Sequence, residues 1–269
     1  MILVEIVASD NRTKSVVNLS GSSKAIISDT ERNLFRLSDY NLKKAVEAHF
    51  GQQPTDAFLR SPTPWDDLYQ RYGWTQVSTT LTPVVARILR VSSKPSVIAT
   101  KHFQNDSTRR ATFNGKIKEE VQNTVISSWE KSSDFSVGLN INYNFGTKVT
   151  SSSAGASFSY TSKWGESNSI SEAVTVGSES GVEITLEPGQ GVVAELHATR
   201  GTMEIQVDYE ATLCGSTAIN YYYKYKDHHF WALDINEVMT AGGLRTSVQS
   251  REVIKFDYYS DSTVVIKNA

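Results

Sequence analysis

Phe135-Ser-Val-Gly-Leu-Asn-Ile-Asn-Tyr-Asn-Phe145 alternates without a break. In an extended strand Phe135, Val137, Leu139, Ile141, Tyr143 and Phe145 share one face, and Ser136, Gly138, Asn140, Asn142 and Asn144 share the other. A turn region follows over residues 146–153. Ala154, Ala156, Phe158 and Tyr160 then line one face again, with Ser157 and Ser159 opposite. From Phe135 through Ser162 the single formal charge is Lys148, in the turn. The chemistry these residues can do is partition between water and lipid. A strand that crosses a bilayer needs about 9–11 residues, apolar outward and polar inward, and a Lys or Arg on its lipid face costs about 2–4 kcal/mol at the midplane. Residues 135–162 meet the length, alternation and charge conditions together. The candidate lipid face is Phe135, Val137, Leu139, Ile141, Tyr143, Phe145, Ala154, Ala156, Phe158 and Tyr160. The candidate lumen face is Ser136, Asn140, Asn142, Asn144, Ser157 and Ser159, with Lys148 at the tip. Alternating hairpins also occur in soluble β-sandwiches, so on the residues alone both readings stand. Two features set this hairpin apart. Other strands of the chain carry charges on their polar faces, and Asn and Gly are poor strand formers, so this polar face is not a choice for sheet stability.

A magnitude constrains the mechanism. Six large apolar side chains gain at most about 9–18 kcal/mol in lipid, at about 1.5–3 each. A lone hairpin would expose two edges of unpaired backbone groups, on the order of ten, each costing several kcal/mol in hydrocarbon. Insertion is therefore unfavourable for one copy and requires several copies closing a barrel. An oligomeric pore follows; its copy number does not.

Other constellations are weaker. His228 and His229 are adjacent, so on a strand they point to opposite faces and cannot readily share an ion. There is no Gly-x-Ser-x-Gly elbow and no phosphate loop. The expectation is no enzyme activity, no metal and no cofactor. The aromatic run Tyr221-Tyr-Tyr-Lys-Tyr225 with Phe230-Trp231 could stack on sugars or pack in a sheet.

The elements that must carry the hairpin read as follows. Ser38 to Gly51 predicts a short helix, with Ser38 as N-cap, Leu42, Val46 and Phe50 four apart, and Gly51 beyond the end. Thr63-Pro64-Trp65-Asp66 predicts a second helix start, with Thr at N-cap, Pro at N1 and Asp at N3, stopping at Gly73. Pro83 and Pro95 punctuate a connection, with Val84 to Val91 a strand or short helix between them. From about residue 97 the period becomes two: Val182, Ile184 and Leu186 alternate with polar residues, a turn follows at Pro188-Gly-Gln-Gly191, and Met203, Ile205, Val207 and Tyr209 alternate against Glu204, Gln206 and Asp208. Further strands are predicted over 221–226, 253–259 and 264–267.

Composition sets the bounds. The 269 residues suffice for one large domain or two modest ones. The formal charge of −2 argues against a nucleic-acid partner. No apolar run reaches the length of a transmembrane helix. Cys214 is the single cysteine, which excludes an internal disulfide. Ser and Thr make up 58 residues, and 21 of the 57 between Thr124 and Ser180. The opening residues lack a basic region and a full apolar stretch, so no signal peptide is visible, and a cytosolic origin or an already mature chain fits.

Trp129, Phe135-Ser-Val-Gly, Phe158-Ser-Tyr-Thr, Ser167-Asn-Ser-Ile-Ser and Val182-Glu-Ile-Thr-Leu-Glu-Pro-Gly-Gln together resemble the pore-forming module of aerolysin-like proteins, in particular the epsilon-toxin/mosquitocidal-toxin branch. Pro62 to Trp74, Leu196 to Met203 and Tyr225 to Asp234 are similar to the insect follicular epithelium yolk proteins, an aerolysin-like group. The resemblance implies a mainly β, elongated architecture of long antiparallel strands with a small mixed α+β N-terminal head. It implies a head at residues 1–96 and a pore-forming module at 97–269 carrying the hairpin 135–162. It further implies binding to membrane lipid or a cell-surface receptor or glycan, assembly into a ring of about seven, and action outside the cell or at a target membrane. Trp65, Tyr69, Tyr72 and Trp74 match the exposed aromatics with which such heads recognise receptors. The yolk-protein similarity leaves a quieter alternative of the same fold, a non-inserting lectin-like or storage protein.

Overall fold

The computed structural model describes residues 1–9, 12–130, 139–147, 157–177 and 182–269. In chain order its elements are β1 (Ile2–Ala8), β2 (Val16–Ser20), β3 (Ser23–Ile26), α1 (Asp29–Leu34), α2 (Asp39–Phe50), β4 (Asp56–Phe58), α3 (Pro64–Tyr72), β5 (Ser78–Gln104), β6 (Ala111–Gly115), β7 (Lys118–Trp129), β8 (Asn140–Thr147), β9 (Ser157–Lys163), β10 (Asn168–Gly177), β11 (Val182–Leu186), β12 (Gly191–Cys214), β13 (Ser216–Tyr225), β14 (His228–Asp234), α4 (Ile235–Ala241) and β15 (Ser247–Asn268). The architecture is mainly β, built on long antiparallel strands, with the helices α1, α2 and α3 among short strands near the N-terminus.

Period-two alternation runs longest in β12, and this strand is the spine. It pairs with β15 on one side and β5 on the other, in a six-stranded sheet of order β10-β7-β15-β12-β5-β3. Along β12 the buried residues are Val192, Ala194, Leu196 and Ala198, then Gly201, Met203, Ile205, Val207 and Tyr209. The phase changes beside a register shift between His197 and Thr199, as an extra residue in a period of two requires. Gly201 sits past that shift because a Cβ there would lie 2.3 Å from the Tyr258 ring. The two runs feed separate cores: Val192, Ala194 and Leu196 pack with Phe103, Ile184 and Leu186, and Met203 to Leu213 join the main core.

The strand expected at Val84 to Val91 is part of β5, which runs on through Pro83 and Pro95 where the sequence predicts a connection. β3 pairs with β5 only over Ser78–Leu81, so beyond that point the outer edge of β5 has no strand on it among the described residues. A proline lacks an N–H to donate and is tolerated on such an edge. Residue 96, the boundary expected between head and module, lies inside this strand. The residues before it supply β1 to the hairpin's sheet, β3 to the large sheet, and β4 to the three-stranded sheet β14-β13-β4.

α2 forms as its sequence predicts: Ser38 Oγ accepts from the Asn41 amide at 3.2 Å, and Gly51 ends the helix at φ 98°. α1 and α4 are additional. Ser28 and Glu31 form a reciprocal capping box at the first, and Asp234 Oδ1 caps the amides of Asn236 and Glu237 at the second.

Candidate functional site

β8 and β9 form an antiparallel hairpin at the edge of a four-stranded sheet of order β2-β1-β8-β9. β1 pairs with β8 in parallel, in register from Ile2–Ile141 to Ala8–Thr147. Strand alternation then divides the hairpin. Leu139, Ile141, Tyr143, Phe145, Phe158 and Tyr160 are all buried in the main core. Phe145 and Phe158 stack toward Phe256 of β15, with ring centroids at 4.6 Å and 6.4 Å. Trp164, just past β9, is fully buried; its backbone amide donates to the Leu139 carbonyl at 3.0 Å and its indole Nε1 to Ser250 Oγ at 2.9 Å. The opposite face is turned outward and is a polar ladder, uncharged along Asn140, Asn142, Asn144, Ser159 and Thr161 and ending on the exposed Lys163, the register partner of Asn140. Ser159 Oγ donates to Asn144 Oδ1 at 3.0 Å and Thr161 Oγ1 to Asn142 Oδ1 at 2.9 Å, while Asn140 is exposed. Phe135, Ser136, Val137, Lys148, Ala154 and Ala156 lie outside the described residues; Ser157 pairs with Gly146 across the hairpin.

Beneath the hairpin sits a buried acid. Glu252 of β15 is fully buried and accepts hydrogen bonds from four hydroxyls. Ser162 of β9 donates at 3.0 Å and Tyr143 of β8 donates to the second carboxyl oxygen. Ser127 of β7 donates at 2.5 Å and Tyr209 of β12 at 3.5 Å. The Tyr143 and Tyr209 hydroxyls are themselves 2.6 Å apart. Burial pushes the Glu252 carboxyl up to about 7, against the pull of the four donors, which favour the ionised form. The hairpin strands thus reach one carboxyl through one hydroxyl each. Glu252 belongs to no motif in the sequence and is not among the candidate residues drawn from it. The available signal is its phase: it shares the parity of Ile254, Phe256 and Tyr258, the buried residues of β15.

The four aromatic candidates for receptor recognition separate. Trp65 and Tyr72 are exposed. Trp74 is half-buried and stacks on Tyr72 at 4.8 Å, and Phe230 of β14 completes the cluster at 5.2 Å from Trp65. Tyr69 does not belong to this surface. It is buried, its hydroxyl lies between the carbonyls of Phe58 at 2.8 Å and Ser216 at 3.0 Å, and burial raises its phenol well above the ordinary range. The helix expected to start at Thr63 begins irregularly: the first turn of α3 is not a right-handed helix. Trp65, Asp66 and Asp67 have φ of 62°, 61° and 55°. Thr63 Oγ1 reaches past them to accept from the Leu68 amide at 2.8 Å, so the expected cap at the third position does not form. Left-handed backbone at three consecutive non-glycine residues is costly and turns Trp65 outward. His228 and His229 lie apart in role: His229 Nδ1 is 3.0 Å from the Tyr221 carbonyl, and His228 packs on Trp231 at 5.2 Å.

The chain is 39% identical over 259 residues to U-megalopygitoxin(8)-Mo12 of Megalopyge opercularis, covering 96% of this chain and 89% of the relative. It belongs to the megalopygitoxin(8) family. A second relative, U-megalopygitoxin(8)-Mc8 of Megalopyge crispata, is 38% identical over the same length. No family model matches the chain. Among solved structures, this megalopygitoxin-family chain is similar to parasporin-2, a Bacillus thuringiensis toxin that recognizes cancer cells. That match has a TM-score of 0.60 at 16% identity and covers 92% of this chain and 98% of the other. A non-toxic crystal protein of Bacillus thuringiensis matches with a TM-score of 0.52 at 11% identity, over 91% and 98%. The fold is aerolysin-like, as the sequence resemblance implies. The epsilon-toxin/mosquitocidal branch and the yolk-protein group find no support among these matches, whose named sequence relatives are toxins. Because a non-toxic protein shares the fold, the fold by itself does not make a megalopygitoxin toxic.

Proposed function

We propose that this protein is a pore-forming toxin that acts outside the cell, by a physical rather than an enzymatic step. It binds a membrane surface, assembles with copies of itself, and transfers the β8–β9 hairpin from its own core into a shared transmembrane barrel. The observation that carries the reading is the division of the hairpin's faces. Its large apolar side chains Leu139, Ile141, Tyr143, Phe145, Phe158 and Tyr160 are stored inside the molecule, and among the described residues its outer face is uncharged except at Lys163, where β9 ends, so the strands already have the pattern a barrel wall needs. Trp65, Tyr72 and Trp74 with Phe230 are the surface by which it meets a lipid, receptor or glycan. The test is release of a trapped dye from cholesterol-containing vesicles and from erythrocytes, with electron microscopy of the treated membranes. Rings with leakage support the proposal; binding to both membranes without leakage refutes it.

A second reading, a non-inserting sugar-binding protein of the same fold, has its own observation. Tyr222 and Tyr223 are 75% and 80% exposed and project from β13 beside Lys224. Binding on a glycan array combined with intact vesicles selects this reading.

A further inference from the structure

Glu252 is out of place on the proposed route to a pore, and its placement carries a consequence. It is buried in the interface between the large sheet and the hairpin, on a strand that does not leave. No lysine, arginine or histidine pairs with it among the described residues. Arg251, its neighbour, is turned to the opposite face, where it pairs with Asp208 at 2.6 Å and Glu130 at 3.4 Å. The titratable groups facing Glu252 are phenols: Tyr143 from β8, Tyr160 from β9 and Tyr209 from β12. β7 contributes Ser127 and, directly opposite Glu252 in the ladder, Trp129, whose buried indole Nε1 has no partner among the described residues. Among the described residues a charge at this position has hydroxyl donors but no counter-ion. Two of those donors, Tyr143 and Ser162, depart with the hairpin.

We infer that Glu252 is a proton-operated latch: the neutral carboxyl holds β8 and β9 on the large sheet, and loss of its proton loosens them. The inference rests on the reading of β8–β9 as the segment that moves. Opening the hairpin uncovers Glu252 to water, where an ionised carboxylate is solvated and an ordinary acidity returns. The docked state is thus the one that binds the proton more tightly. With the docked carboxyl at about 7 and the free one near 4.5, docking is strongest below about pH 4.5 and weakens as pH rises through 7. The full span changes the docking equilibrium by up to about 300-fold. The switch therefore opens toward neutral and alkaline pH and closes in acid.

The test needs no membrane. Amide hydrogen exchange of β8 and β9 is followed from pH 5 to 8.5 after correction for intrinsic rates, with β13 as internal reference. Protection of β8 and β9 is expected to fall at least tenfold relative to β13 across that range. Glu252→Gln removes the proton and should flatten the profile. Tyr143→Phe withdraws one donor from the carboxylate and should move the midpoint upward; it decides the matter where the glutamine variant does not fold. A pH-independent ratio in the natural protein, a glutamine variant with the natural slope, or an unmoved midpoint in Tyr143→Phe overturns the latch. Leakage with pH-invariant β8 and β9 also overturns it and leaves the pore standing. A pH-dependent opening with no leakage from any membrane keeps the latch and removes the pore.

Discussion

Locking β8 to β1 should abolish permeabilisation while sparing the soluble protein. Leu3 and Asn142 are register partners across the parallel β1–β8 pair. Both are half-buried and lie on the outward phase, because Ile2, Val4, Ile141 and Tyr143 fill the inward one. The variant Leu3→Cys/Asn142→Cys, in a Cys214→Ser background, places two thiols where strand neighbours sit. A disulfide holds its Cα atoms within about 4.4–6.8 Å, whereas a barrel strand must cross about 30 Å of hydrocarbon. All seven registered positions between β1 and β8 would have to part for that transfer. Losing the bonds Asn142 makes to the Ile2 carbonyl and from Thr161 costs about 1 kcal/mol. Chain entropy for a loop of this length offsets it by about 5 kcal/mol. The oxidised protein should therefore melt no lower than the parent. Since a barrel closes only when every subunit contributes its strands, crosslinking about nine-tenths of the molecules leaves at most about a tenth of the leakage rate. The control is Thr112→Cys/Thr185→Cys, whose hydroxyls are 3.1 Å apart on the separate β6–β11 pair. It should leave leakage unchanged. Dye release from vesicles before and after reduction reads the outcome. Undiminished leakage from a fully crosslinked Leu3–Asn142 protein would refute the transfer of β8.

Asn144→Lys adds a charge to an exposed position on the outer face, so the soluble fold should lose no more than about 1 kcal/mol while the pore, measured by reversal potential, becomes anion-preferring. Leu139→Lys and Ile141→Lys should destabilise the soluble protein by about 3 kcal/mol or more, seen as a lowered Tm, because both side chains are buried in the core as well as on the proposed lipid face. Trp65→Ala and Tyr72→Ala should reduce binding to target membranes, scored by co-sedimentation, with stability changed by about 1 kcal/mol or less. Tyr69→Phe should do the reverse, costing about 1–3 kcal/mol in a denaturant melt and leaving binding intact, since its hydroxyl is spent on two buried carbonyls.

The strands were legible where one face is buried and the other wet. β11, β12 and the two stretches of β15 announce themselves by alternation, because that is the pattern a half-buried antiparallel strand imposes. Length was less legible. The predicted strands at 253–259 and 264–267 are one strand, and β5 begins well before residue 97 and absorbs two prolines, since an open edge removes the usual penalty. The parallel partnership of β1 with β8 links residues about 140 apart, and no local pattern encodes it. At the site, the inward and outward phases of residues 139–146 and 158–161 follow the alternation of the sequence. The hairpin's anchor was not legible, because Glu252 is defined by neighbours on four other strands.

On the proposed route to a pore, the apolar face of the hairpin would serve in storage and in insertion alike. Leu139, Ile141, Tyr143, Phe145, Phe158 and Tyr160 are worth about 9–18 kcal/mol when removed from water, whether the receiving medium is this core or acyl chains. That large term nearly cancels between the two states. The backbone bonds that β8 makes to β1 would likewise be replaced by bonds to a neighbouring copy in the proposed barrel. What does not cancel is polar and local. The hydroxyls of Tyr143 and Ser162 meet a carboxyl in one state and have none in the other. Small polar terms at Glu252 can therefore decide a rearrangement whose gross energies are many times larger. Replacing this carboxyl should alter when the hairpin moves far more than whether a barrel, once formed, is stable.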